Sequence, residues 1–135
     1  MCTVTHLAVG GALGAWAGSG PAAFVLGAVS HGVLDAVPHY EMEDFRVDLV
    51  LTLAGLAALV GLGYGGSPVF WGALGGVVPD LEILFWKLGW LREKQMVFPS
   101  HSGLIAHGRR LSGRGAVPQV LLVLGSVGCL ALMAK

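Results

Sequence analysis

Charge is what this chain has least of. Asp, Glu, Lys and Arg make up 12% of its 135 residues and cancel to a formal net charge of zero, about half the charged share usual in a soluble domain. With no basic excess there is no electrostatic footprint for nucleic acid, and that class of partner is excluded. Cysteine is also scarce. Cys2 and Cys129 lie near the chain ends and match no metal-ligand or redox spacing, so they read as free thiols and a disulfide framework is excluded. The first apolar stretch has no basic segment before it, which excludes an ordinary signal peptide and leaves a retained helix. The length allows a single domain over 1–135.

Three stretches hold no Asp, Glu, Lys, Arg or His at all: 7–30, 49–78 and 115–134. Crossing the hydrocarbon core takes about 20 mostly apolar residues. The third stretch has that length, whereas the first two are longer and are broken by GSGP at 18–21 and GYGGSP at 63–68. Gly and Pro punctuate helices in this way, so each long stretch reads as a helical hairpin. The predicted helices cover residues 5–17, 21–37, 47–63, 68–89 and 115–134, an all-α, polytopic membrane helical bundle of about five helices forming one membrane-embedded domain. Hydrophobic residues are 55% of the chain and its mean hydropathy is +0.75, more apolar surface than a small soluble domain can hide. The 22 glycines are scattered through Leu/Ala/Val segments, where small residues let helix backbones approach closely in a bilayer.

Five spans put the N-terminus and the 38–48 and 90–114 loops on one face. That face holds Arg46, Arg92, Lys94, Arg109, Arg110 and Arg114, while the other keeps only Lys135. Lys- and Arg-rich short loops stay cytoplasmic, which puts the N-terminus inside an inner-membrane protein and Cys2 and Cys129 on opposite sides. Trp71, Trp86 and Trp90 suit interface anchors.

The most telling residues sit in SHGVLDAVPHYE. His31, Asp35 and His39 recur every fourth position, one stripe of a helix, and in apolar surroundings such a triplet needs a partner. The hairpin topology, drawn without using these residues, brings His6, Asp80 and His101 to the same face. Imidazole and carboxylate suit zinc, manganese or iron, so His6, His31, Asp35, Asp80 and His101 are candidate ligands of a divalent metal ion, zinc first among them. Whether one ion or two is bound stays open. His39 and Glu82 are candidate general bases, and Arg109 and Arg110 candidate binders of an anionic headgroup or phosphate. Each has a plainer reading. His31 and Asp35 suit a hydrogen-bonded pair, and Asp80 an N-cap for LEILFWKLGWL. Pro38 disfavours a helical Val37 and places His39 on an exit turn. Glu82 suits a surface residue. His107, six residues beyond His101 and off its helical face, reads as no ligand.

The motifs THLAVGG, HGVLDAVPH, GALGGVVPDLE and SHSGL, in that order, resemble the YdjM-like family of membrane-bound metal-dependent hydrolases, which shares motif style with zinc-dependent phospholipase C-type proteins. The resemblance covers residues 5–107. It implies an integral inner-membrane hydrolase whose ligands are His6, His31, Asp35, Asp80 and His101. The chain departs from the family's PDxD at Pro79-Asp80-Leu81-Glu82, and has Phe98-Pro99-Ser100 where an Arg-Gly pair often precedes the late His-Ser. The expected function is hydrolysis of an ester or phosphoester, lipids included, at the cytoplasmic membrane face. The alternative is a non-catalytic metal-binding membrane protein serving as scaffold, assembly factor or transporter. Ionisable groups gathered at one end, away from the bilayer midplane, speak against transport. Carboxylates interleaved with the histidines speak against haem. The oligomeric state is not encoded in these features.

Overall fold

A computed structural model describes residues 1–133. Position 134, the end of the fifth expected helix, and Lys135, expected to mark the opposite face, lie outside the described residues. The described chain is all-helical, with five helices and no strand. They are α1 (Thr3–Gly14), α2 (Gly20–Ala36), α3 (Phe45–Gly61), α4 (Pro68–Lys87) and α5 (Ala116–Met133).

Local chemistry sets most of these boundaries. Ser19 accepts a hydrogen bond from the Ala22 N–H at 3.4 Å, Asp44 from Arg46 at 2.9 Å and Ser67 from Phe70 at 3.3 Å, so α2, α3 and α4 each start on a side-chain cap. Pro21 and Pro68 sit in the first turns, where their missing N–H costs nothing. Val37 is extended at φ −87° and ψ 143° before Pro38, and α2 stops there. Pro79 is tolerated inside α4 because the helix tightens into a 3-10 turn at Val78–Asp80 before continuing as Leu81–Lys87. The first helix differs from expectation: α1 ends at Gly14, not 17. Its last residues turn away through short bonds from Trp16 N–H to Leu13 and Ala17 N–H to Gly14.

Helix α1 sits at the centre, packed by α2, α3, α4 and α5. Its 12 residues make a rod of about 18 Å, shorter than the roughly 30 Å of a bilayer core. Its N-terminal N–H groups are capped from distant parts of the chain. Asp48 of α3 accepts from Thr3 and Val4 at 2.8 and 3.2 Å, and Gln119 of α5 accepts from Cys2 N–H at 3.1 Å. The Gln119 amide also donates to the Tyr40 carbonyl at 2.8 Å. A carboxylate at the positive end of the α1 dipole is favourable. Cys2 and Cys129 are both free.

Glycine determines the α1–α4–α2 contact. A Cβ on Gly10 or Gly27 would collide with the Gly72 carbonyl, and one on Gly76 with the His6 carbonyl. Backbone therefore lies on backbone, the close approach that small residues spaced four apart allow. The outer surfaces are apolar. Val25, Val29 and Val33 on α2 are 59%, 58% and 61% exposed, and Leu121 and Leu124 on α5 are 64% and 62% exposed. Two helical segments, Pro68–Lys87 and Gly113–Met133, are long and apolar enough to cross a membrane.

This packing predicts an asymmetry between glycines. In Gly72→Ala the new Cβ would meet Gly14 Cα at 2.8 Å and the Gly10 carbonyl, an overpacking cost of about 1–3 kcal/mol, whereas Gly125 has no described atom within 4 Å of its Cβ position. Thermal unfolding in detergent should show a clear loss for Gly72→Ala and no loss for Gly125→Ala; equal transitions would contradict the packing.

Candidate metal centre

The antiparallel run of α1 and α2 sets the start of one beside the end of the other, and the 3-10 turn of α4 and the following loop close over them. All five expected ligands meet there. Asp35 is 1% exposed, and His6 and His31 are fully buried. His6 Nε2 lies 3.2 Å from Asp35 Oδ1, while His31 Nε2 and His101 Nε2 lie 3.1 and 3.5 Å from Asp35 Oδ2. Asp80 Oδ1 is 3.7 Å from His31 Nε2 and 3.8 Å from His101 Nε2. Two overlapping triplets, His6–His31–Asp80 and His31–Asp35–His101, each have ligand atoms within 4.8 Å of one another. The buried His/Asp cluster can hold a metal ion.

His31 Nδ1 is 2.7 Å from the Gly76 carbonyl. A carbonyl only accepts, so Nδ1 carries a proton, and Nε2 faces two carboxylates. His101 repeats the pattern, with Nδ1 3.3 Å from Glu82 Oε2 and Nε2 facing Asp35 and Asp80. Imidazole nitrogens and carboxylate oxygens thus gather at one place. Among the described residues His6 Nδ1 and Nε2, His31 Nε2 and Asp80 Oδ2 are buried without a hydrogen-bond partner. Protonating every imidazole would place like charges against each other, because the His6 and His31 rings stack with centroids 3.8 Å apart. A divalent cation removes the conflict and matches the donor set. The α-amine of Met1, 2.9 Å from Asp35 Oδ1, and the Ser100 hydroxyl, 2.9 Å from Oδ2, complete the carboxylate's surroundings.

The remaining candidates are placed as follows. Asp80 makes no cap hydrogen bond to the helix after it, so the N-cap reading fails and its carboxyl belongs to the cluster. Glu82 is no free surface residue. Its oxygens accept the Val97 and Phe98 N–H groups at 3.0 and 3.2 Å and orient the His101 ring. His39 lies on the exit turn as Pro38 requires, yet is buried, with Nδ1 2.7 Å from the Val37 carbonyl and Nε2 3.3 Å from Glu41. That imidazole holds the Glu41 carboxyl down to about 2. Arg109 and Arg110 are exposed, and Arg110 Nη1 is 3.9 Å from Glu41 Oε2 at the rim. His107 departs from its expected place. It follows a turn with Gly103 at φ 82°, so helical spacing from His101 does not apply, and its Nε2 lies 3.3 Å from Glu41. Ser100 carried no signal beyond its place beside His101.

A cavity of about 470 Å³ opens from this cluster. Asp35, Asp80 and His101 line one part of it, and Leu49, Leu53, Leu56, Leu74, Val78 and Leu81 wall the rest between α3 and α4. Compared with family models, curated proteins and solved structures, the chain matches none.

Glu82 orients His101, a candidate ligand, and loss of such a contact behind a metal ligand typically lowers metal affinity about 10–100-fold. Glu82→Gln should keep the helical circular dichroism and weaken zinc binding by that order in a chelator competition; unchanged affinity would show that His101 needs no such support.

Proposed function

We propose that the protein is an integral membrane hydrolase dependent on a divalent metal ion, and that it cleaves an ester or phosphoester in a lipid. The observation that carries this reading is the gathering of buried His and Asp side chains, their ligand atoms within 4.8 Å of one another and several of them without a hydrogen-bond partner, at the polar end of a leucine-walled cavity. In this reading His31, Asp35, Asp80 and His101 hold the ion, with His6 as a further ligand, and zinc is the first candidate by donor type. When bound, such an ion lowers the pKa of water toward neutrality and polarises the bond under attack.

The chain's own residues supply the rest. Asp80 Oδ2, buried and without a hydrogen-bond partner, accepts the proton of the attacking water. Glu82, with its oxygens engaged by Val97, Phe98 and His101, positions His101 and is not the base. The leucine-lined part of the cavity takes an acyl chain and keeps bulk water from the reacting bond. Arg110, at the rim beside Glu41, meets the headgroup's negative charge with Arg109.

The membrane setting rests on the apolar outer faces and on exposed tryptophans at both ends of the bundle. Trp16 and Trp71 are 74% and 41% exposed at one end, and Trp86 and Trp90 are 44% and 75% exposed at the other, the arrangement of interfacial belts. The Arg-bearing loops lie at the end that holds the cluster, which supports a site at the cytoplasmic face of an inner membrane. The resemblance to YdjM-like hydrolases agrees with this reading.

Detergent-purified protein should contain metal that His31→Ala loses while staying folded. Phospholipid vesicles should be hydrolysed by the wild type, not after chelation, and again after zinc or manganese is restored. Undiminished turnover by metal-free protein would refute the proposal. Bound metal without turnover of any ester or phosphoester lipid would leave a non-enzymatic metal-binding membrane protein.

A further inference from the structure

Next to the proposed centre lies a second group of ligand-type side chains that shares Asp35 with it. Asp35, His39 and His107 offer ligand atoms within 4.8 Å of one another. His39 Nε2 and His107 Nε2 each lie 3.3 Å from the same oxygen, Glu41 Oε1, and their ring centroids are 4.9 Å apart.

Main-chain contacts build this arrangement. The segment carrying His107 is bonded to the end of α2 by the Gly108 N–H to the Asp35 carbonyl at 2.6 Å, the His39 N–H to Arg109 at 3.1 Å and the Leu111 N–H to His39 at 2.7 Å. Gly108 permits the approach, since a Cβ there would collide with the Val37 carbonyl. The buried His39 ring is held from both sides, with Nδ1 2.7 Å from the Val37 carbonyl and Nε2 3.3 Å from Glu41 Oε1.

We propose that Asp35, His39 and His107, together with Glu41, form a second divalent-cation site, with Asp35 bridging two ions. The inference rests on the first centre being a metal site, and it narrows the substrate class. Paired ions about 3.5–4 Å apart clamp the attacking and leaving oxygens of a phosphoryl group, so the favoured substrate is a phosphoester of a lipid and not a carboxylic ester. Asp35, His39, His107 and Glu41 fit zinc or manganese by donor type.

Full-length protein in detergent, loaded with manganese and freed of excess, tests this by elemental analysis and electron paramagnetic resonance. The wild type should hold two ions per chain and show an exchange-coupled spectrum. His107 is 39% exposed, so His107→Ala should fold as the wild type does, hold one ion and show an uncoupled signal. Glu41→Gln should weaken the same ion selectively. A wild type with one uncoupled ion, unchanged in His107→Ala, would overturn the second site and leave the first standing. A wild type that binds no metal would overturn the reading of the first centre as well.

Discussion

The end of the bundle is organised around one buried carboxylate. An isolated Asp35 anion in a dry interior would cost several kcal/mol, and nearly everything nearby compensates that charge. Met1 and His6 come from the start of α1, His31 from one turn earlier in α2, and Ser100 and His101 from the loop after α4. The Asp35 carbonyl in turn accepts the Gly108 N–H, so one residue ties the first helix, the second helix and the longest loop together. Removing water raises the demand for positive charge, which suits the same cluster to a cation.

That centre depends on helices being closer than ordinary side chains permit. Gly10, Gly14, Gly72 and Gly76 let α1 and α4 touch through their backbones, and only at that separation do His6 and His31 stack and Asp80 come near them. Farther from the site the helices are less intimate. Between α3 and α4 the spacing opens into the leucine-walled cavity. Tight glycine packing on one side of α4 and a gap on the other set a closely packed His/Asp cluster beside an open, leucine-walled space.

Much of this was legible in the sequence, for identifiable reasons. Uncharged stretches interrupted by Gly and Pro located the helices, because helix caps and breakers act locally, and α2, α3 and α4 begin on Ser or Asp caps that any reading can find. The four-residue spacing of His31 and Asp35 placed both on one stripe, and the hairpin topology brought His6, Asp80 and His101 to them. What escaped was tertiary. His107 sits beside His39 because a turn at Gly103 and a main-chain pairing at Arg109 and Leu111 redirect the loop, which no periodicity encodes. Asp80 after Pro79 has the local look of a cap, yet its partners come from other elements. Gln119 and Asp48 cap a helix more than forty residues away in sequence, and the engagement of Glu82 with Val97 and Phe98 is equally long-range.

The hydrogen bond from His31 to the carbonyl of residue 76 fixes which ring nitrogen is free, and a carbonyl is the one group at that position that no codon change can remove. What a codon can change is the hydrogen atom standing where a side chain would be. A larger residue at 76 would push α1 away and displace the His31 ring without touching any side chain of the cluster, so a glycine that looks like filler in an apolar helix is in effect part of what holds the His/Asp cluster together.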